Sequence, residues 1–167
     1  MNRNLLILGA GQYGEVVMEI AKTLQCFERI DFLDDRNPIA VGKLSDYARF
    51  SKDYSDAIVA VGNPTLRLSL LQKLFEVGFS VVTLVSPQAW VSPSASIGAG
   101  TVVEPMAVIQ ANAEVGVGCL VCAGAVIKHD ARVTSGCYLD CNSVVMPTVC
   151  VPEQTKVEAC CVCREFS

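Results

Sequence analysis

The sequence predicts two architectures in tandem, an α/β unit followed by an all-β solenoid. Three observations carry that prediction. A glycine-rich turn, Gly9-Ala10-Gly11-Gln12-Tyr13-Gly14, lies between an apolar strand and a helical pattern; strands and helices then alternate; and a six-residue period runs from Val91 to Val157. The expected division is residues 1–86 for the α/β unit and 87–167 for the solenoid.

Taken in order, Asn4-Leu5-Leu6-Ile7-Leu8 reads as a buried strand that ends in the GxGxxG turn. Val16, Val17, Ile20, Ala21 and Leu24 recur at helical spacing, and Ile30 to Leu33 forms the next strand, closing on Asp34-Asp35. A strand before, a helix after and an acid about 20 residues beyond the last glycine are the context a phosphate-cradling turn requires. Glycines permit the tight turn and let a phosphate reach the first N–H groups of the helix.

A connecting stretch, 36–55, holds a short helix near Ser45 to Phe50. Asp56 to Gly62 is the third strand, ending at Asn63-Pro64. Thr65 then caps a helix through Phe75 with the stripe Leu66, Leu70, Leu71 and Leu74, and Val81 to Leu84 supplies a fourth strand. This is a half-Rossmann βαβ unit. A full dinucleotide fold needs two such halves, which argues against an NAD-dependent oxidoreductase and favours a mononucleotide ligand. A glycine turn that binds nothing is the alternative.

In the solenoid, Val91, Ile97, Val103, Ile109, Val115, Val121, Ile127, Val133, Leu139, Val145, Val151 and Val157 share one phase. Four places after each sits a small or slim residue, from Ala95 and Thr101 through Cys119, Ala125 and Cys137 to Cys161. Each hexad is one short strand and one corner. Three hexads make a coil of a parallel β-helix, so this run builds about four coils.

Half of the 167 residues are hydrophobic, enough for a core, and no apolar run approaches the roughly 18 residues that span a bilayer. No cleavable leader is evident, so a cytoplasmic protein without membrane insertion is expected. The net charge of −4 and the lack of a Lys/Arg cluster argue against a nucleic-acid partner, and none is expected. Of the 9 cysteines, Cys119, Cys137 and Cys161 fall at the small inward phase, whereas Cys122 and Cys141 fall at two others. That scatter favours thiols acting as small hydrophobes over a metal cluster, and no metal is expected.

His129 is the sole histidine, at a corner two residues after an inward aliphatic, so it projects from the column. A neutral imidazole suits general-base work near pH 7, and Asp130 can orient it. A solvated corner histidine is the plain alternative.

The repeat, with Ile97-Gly98-Ala99-Gly100-Thr101-Val102 as an example, resembles the hexapeptide-repeat acyltransferases, a likeness that implies a left-handed parallel β-helix. Together with Gly9 to Gly14, Phe32-Leu33-Asp34-Asp35, Val59-Ala60-Val61-Gly62-Asn63, Ser92-Pro93-Ser94-Ala95 and Gly124 to Asp130, the whole chain resembles the bacterial sugar O-/N-acyltransferases. That family includes sialic acid O-acetyltransferases and N-acetyltransferases of UDP-4-amino sugars such as the bacillosamine precursor.

The resemblance implies an acetyl-CoA-dependent acetyltransferase of a nucleotide-activated amino sugar or a sialic-acid-type sugar. The sugar-nucleotide would lie at Gly9, Gly11, Gln12, Tyr13 and Gly14, near Asp34 and Asp35, with Gly62 and Asn63 closing the pocket. Acetyl-CoA would lie along the solenoid between subunits of a homotrimer, near Tyr138, Pro147 and Thr148, with His129 as base and Asp130 as its acidic neighbour.

Several residues depart from the family pattern. Tyr13 stands where a histidine is frequent, Cys122 where an asparagine is common, and Tyr138 replaces a second histidine. Pro147 offers no N–H to the pantetheine. The chain also stops roughly two coils earlier than its relatives, at Ser167, so the expected alternative is a truncated, non-catalytic sugar-nucleotide-binding or assembly protein. A single histidine excludes a zinc site of three histidines, as in the β-helical carbonic anhydrases.

Overall fold

A computed structural model describes residues 3–165, which divide into two units at Val82 and Thr83. In the first unit the strands β1 (Asn4–Leu8), β2 (Arg29–Leu33), β3 (Asp56–Val59) and β4 (Ser80–Val81) form one parallel sheet in the order β2-β1-β3-β4. β1 is central, and Leu5, Leu6, Ile7 and Leu8 are fully buried, the continuous apolar run expected of a strand covered on both faces. The helix α1 (Gln12–Thr23) follows β1 and buries Gly14, Val17, Ile20 and Ala21. A 3₁₀ helix spans Leu44–Phe50.

The helix α2 (Pro64–Val77) differs from expectation at its start and along its buried face. Its N-cap is Asn63 rather than Thr65: the Asn63 Oδ1 accepts the N–H of Leu66 at 2.9 Å, and Pro64 takes the first helical position, where a missing N–H costs nothing. The buried stripe is Arg67, Leu70, Leu71 and Leu74, spaced i, i+3, i+4 and i+7, and Leu66, one residue off that stripe, is exposed. The buried guanidinium donates to the carbonyls of Val61 at 2.8 Å and Gly62 at 2.9 Å, in the segment between β3 and α2. Hydrogen bonds of this kind are what make a buried charge tolerable.

The second unit is a parallel β-helix of two-residue strands on three faces. The first face stacks Leu84–Val85, Val102–Val103, Leu120–Val121, Tyr138–Leu139 and Lys156–Val157; the second stacks Trp90–Val91, Val108–Ile109, Val126–Ile127, Val144–Val145 and Val162–Cys163. Four strands form the third, namely Ser96–Ile97, Glu114–Val115, Arg132–Val133 and Cys150–Val151. Leu84, expected to end a strand of the α/β sheet, instead pairs with Val102, so the coil begins before Val91.

Partners lie 18 residues apart, as in Val103 to Val121 to Leu139, which stacks the inward aliphatics into columns. Ile109, Ile127, Leu139, Val145 and Val151 are fully buried, with Ala107, Ala113, Cys119, Ala125 and Cys137 filling the corners. Burial of one such aliphatic contributes roughly 1.5–3 kcal/mol. Cys119 and Cys137 are buried as small inward groups and donate to the carbonyls of Thr134 and Pro152, each at 3.1 Å. Cys161, at the same phase in the last coil, is exposed.

Most corners pass through the left-handed region at their third residue. Gly100, Gly118 and Gly136 do so between the third and first faces, and Asn112, Asp130 and Thr148 do so between the second and third. Glycine, Asn and Asp accept that conformation readily.

Candidate functional site

His129 and Asp130 occupy the corner between Val126–Ile127 and Arg132–Val133. Both side chains are about half exposed, so the imidazole stands out from the column. Its Nδ1 lies 2.8 Å from Asp130 Oδ2, while Asp130 Oδ1 accepts Asn112 Nδ2 at 3.0 Å from the coil before. The Asp130 carboxyl is held below its ordinary range by the hydrogen bond to His129 first and to Asn112 second. An ionised carboxylate is acceptor only, so this contact places the imidazole proton on Nδ1 and leaves Nε2 as the basic nitrogen.

The corner is fixed by its neighbours in the stack. His129 N–H donates to Gln110 Oε1 at 3.2 Å, and Asp130 N–H to the Ala111 carbonyl at 3.0 Å. From the following coil, Thr148 N–H donates to the His129 carbonyl at 3.4 Å. Pro147 and Thr148 thus lie at the same corner as His129 and Asp130, one coil on. A depression of about 320 Å³ opens beside them, lined in part by Asn112, Glu114, Asp130, Arg132, Thr148 and Cys150.

Tyr138 lies elsewhere, on the outside of the first face. Its side chain stands near the Cys122 thiol, and Lys156 Nζ sits 5.6 Å from the ring centroid. Burial first, then the Cys122 contact, pushes the phenol pKa upward. Within one chain, therefore, the structure brings Pro147 and Thr148 to the histidine corner and does not bring Tyr138 there.

In the first unit the glycine turn sits where the strand order reverses, with β2 on one side of β1 and β3 on the other, the place where open α/β sheets receive ligands. Gly9 has φ +111°, and a Cβ there would meet the Ala60 carbonyl oxygen at 2.9 Å. At Gly14 a Cβ would collide with the Gly9 carbonyl oxygen, so this glycine lets α1 pack against the turn. Gly11, the N-cap of α1, has an ordinary φ of −78°, and a Cβ there would meet nothing within 4 Å. Its lack of a side chain is not demanded by the fold.

Asp34 serves the turn itself. Its Oδ2 accepts Ala10 N–H at 2.9 Å, and its Oδ1 accepts the N–H groups of Arg36 at 2.8 Å and Asn37 at 2.9 Å. The Asn37 side chain returns a bond to the Ala10 carbonyl at 2.6 Å. The backbone bond from Ala10, then that from Arg36, holds the Asp34 carboxyl below its ordinary value. Asp35 accepts Leu44 N–H at 3.1 Å and lines a hollow of about 420 Å³ with Ser45, Tyr47 and Lys73. Gln12 and Tyr13 open α1, Gly62 is unobstructed, and Asn63 is engaged as the cap of α2.

Sequence reasoning missed Gln110, Asn112, Asn37 and Arg67. The first two could have been found by stepping back 18 residues from the His129 corner; for the latter two the chain offers no local signal. Among the described residues, no group of three His, Cys, Asp or Glu side chains is placed to hold a metal ion, and no helix is long and apolar enough to cross a membrane.

A half-Rossmann unit with a glycine turn and a hexapeptide β-helix carrying a corner histidine define a class, the hexapeptide-repeat sugar acyltransferases, and this chain belongs to that family. The model of the PglD N-terminal domain matches residues 4–74. UDP-N-acetylbacillosamine N-acetyltransferase of Bacillus subtilis is 30% identical over 108 residues, which are 59% of this chain and 50% of that protein. The chain thus spans about half the length of the curated relative it matches.

Among solved structures, the acetyltransferase domain of PglB from Neisseria gonorrhoeae, in complex with acetyl coenzyme A, is 32% identical with a TM-score of 0.78, covering 95% of this chain and 86% of that one. A histidine-to-asparagine mutant of perosamine N-acetyltransferase from Caulobacter crescentus, in complex with CoA and GDP-perosamine, is 28% identical with a TM-score of 0.84, covering 92% and 76%. With these neighbours the coil is a left-handed β-helix.

Proposed function

We propose that this protein transfers an acetyl group from acetyl-CoA to the amino group of a nucleotide-linked sugar. The observation that carries the reading is the His129–Asp130 pair, half exposed at a corner and hydrogen-bonded at 2.8 Å, with Nε2 free to act as base. The likeness to the gonococcal acetyltransferase domain and to perosamine N-acetyltransferase supports the donor and an amino-sugar acceptor.

In this reading His129 Nε2 accepts the proton of the attacking amine as its nitrogen bonds to the thioester carbon. The C–S bond then breaks, and the proton is passed to the departing thiolate. Asp130 holds the imidazole upright and stabilises the imidazolium. Pro147 and Thr148, one coil on, would flank the acyl donor, and Tyr138 would meet it from the first face of a neighbouring subunit. The glycine turn at Gly9, Gly11 and Gly14 would receive the phosphates, with Gln12, Tyr13, Asp35, Gly62 and Asn63 around the nucleotide. Asp34 shapes that turn rather than meeting the ribose.

Sharing one donor site between two faces implies association, and we assign a homotrimer. An apolar ladder on the outside of the second face, Trp90, Val108, Val126, Val144 and Val162, supports it. A cytoplasmic location fits the use of acetyl-CoA and thiols that are all free.

The test is release of CoA thiol from acetyl-CoA over a panel of UDP- and GDP-linked amino sugars and free sialic acid, with the protein's own thiols subtracted. Turnover with one acceptor is expected, and His129→Ala should lower it by about a hundred- to ten-thousand-fold. Full activity in that variant would remove His129 as the base. Stabilisation against heat by a nucleotide sugar, with none by acetyl-CoA, would favour a non-catalytic binding protein.

A further inference from the structure

We infer that Asn112 is a positioning residue: from the coil before, it fixes the Asp130 carboxylate so that His129 presents Nε2 outward. This rests on the reading of His129 as the base. Asn112 and Asp130 are 18 residues apart at the same place in successive corners, and both are left-handed, with φ +58° and +57°. Their side chains therefore leave the column in parallel, and the amide of one meets the carboxylate of the other at 3.0 Å.

The pairing solves a problem of exposure. A half-exposed carboxylate on a short side chain rotates among several rotamers in water, and a single bond to an equally exposed imidazole fixes neither partner. Anchoring Oδ1 to Asn112 sets the carboxylate plane and leaves Oδ2 for Nδ1. Gln110 fixes the other end by accepting the His129 N–H, so one coil anchors both members of the pair in the next.

The chemistry of an amide is what the place requires. A cation there would neutralise the carboxylate that must stabilise an imidazolium, and a second carboxylate would repel it. The amide donates without charge. The nearby charges do not compete, since Glu114 and Arg132 are paired with each other at 2.8 Å.

The sole histidine makes the test specific, because its two ring nitrogens are the only imidazole ¹⁵N signals of this 167-residue chain. Asn112→Gly removes the amide where φ +58° suits glycine, so no backbone strain is introduced. Asn112→Asp keeps the shape and removes the donor. In wild type, the ¹⁵N shifts of the neutral ring should show the proton on Nδ1. In both variants they should move toward an averaged mixture, while kcat falls by about tenfold, the rate equivalent of one hydrogen bond, and KM for acetyl-CoA stays unchanged.

An unaltered tautomer ratio in Asn112→Gly would overturn the inference. Measuring His129→Ala in parallel separates the two readings. If the tautomer shifts in Asn112→Gly while His129→Ala retains full turnover, the base assignment falls and the hold of Asn112 on the pair stands.

Discussion

The two units solve the same problem, holding a polar site on an apolar support, in opposite ways. In the solenoid every residue has a role set by its phase, and the role is repeated; the site is a departure from the pattern, a histidine where the corner needs nothing. In the α/β unit no position is repeated, and the glycine turn depends on single residues such as Gly14 and Asp34. Repetition spreads stability over many equivalent side chains, whereas the turn concentrates it in a few.

The largest effect should come from the columns. Ile109→Ala, Ile127→Ala and Leu139→Ala, all fully buried, should each destabilise the solenoid by about 2–5 kcal/mol. The sole tryptophan, Trp90, lies in the solenoid, so urea unfolding followed by its fluorescence reads that unit. Three closely similar losses would sharpen the contrast, and a widely uneven set would break it. Gly14→Ala comes next, at roughly 1–3 kcal/mol, because the added carbon meets backbone that cannot move without shifting α1. Hydrogen exchange should rise in residues 4–33 and stay unaltered in the coils.

Asp34 adds a dependence on pH. Its folded pKa lies below its unfolded one, so its stabilisation is fully present above the unfolded value near 4 and is lost as pH falls through the lowered folded value. Asp34→Asn should cost about 1 kcal/mol at pH 7 and flatten the loss of protection below pH 4 in the turn, as read by exchange. An equally steep acid loss in that variant would assign the effect to other carboxylates. Smallest in stability is Gly11→Ala, expected within about 0.5 kcal/mol of wild type because the fold leaves that space open. Its effect should instead be on nucleotide-sugar binding, since a methyl group would stand where a phosphate approaches the helix N-terminus. Isothermal titration would decide it, and unchanged affinity would place the ligand elsewhere.

The same contrast explains what could be read in advance. A period of six leaves no freedom in which residues face inward, so the columns from Val91 to Val157 were legible, as was the outward place of His129. Leu84 was not, because the apolar run Val81-Val82-Thr83-Leu84-Val85 reads as one continuous strand, although Val85 and Ala89 already keep the phase of Val91 and Ala95. On α2 the covered stripe begins at Arg67 and not at the adjacent Leu66, because a long polar side chain can be buried where backbone carbonyls receive its donors. Helical periodicity tells which residues share a face but not which of two adjacent faces is covered. The resemblance puts Asp34 beside the ribose or base, and its bracing of the turn was not legible, since that depends on Ala10, Arg36 and Asn37 converging on one carboxylate. Asn112 lies 18 residues before its partner, one full coil of three hexads, so the repeat length places the two corners together while the bond between their side chains needs the structure.

The uneven burial of the cysteines gives the protein an internal clock. Cys119, Cys122 and Cys137 are enclosed, whereas Cys26, Cys141, Cys150, Cys160 and Cys161 are open to solvent. An alkylating reagent would mark the second group at once and reach the first only when a coil parts. Counting adducts by mass against time, with the labelled peptides identified after digestion, would then report how often the middle of the solenoid breathes in the unaltered protein and without a probe being introduced.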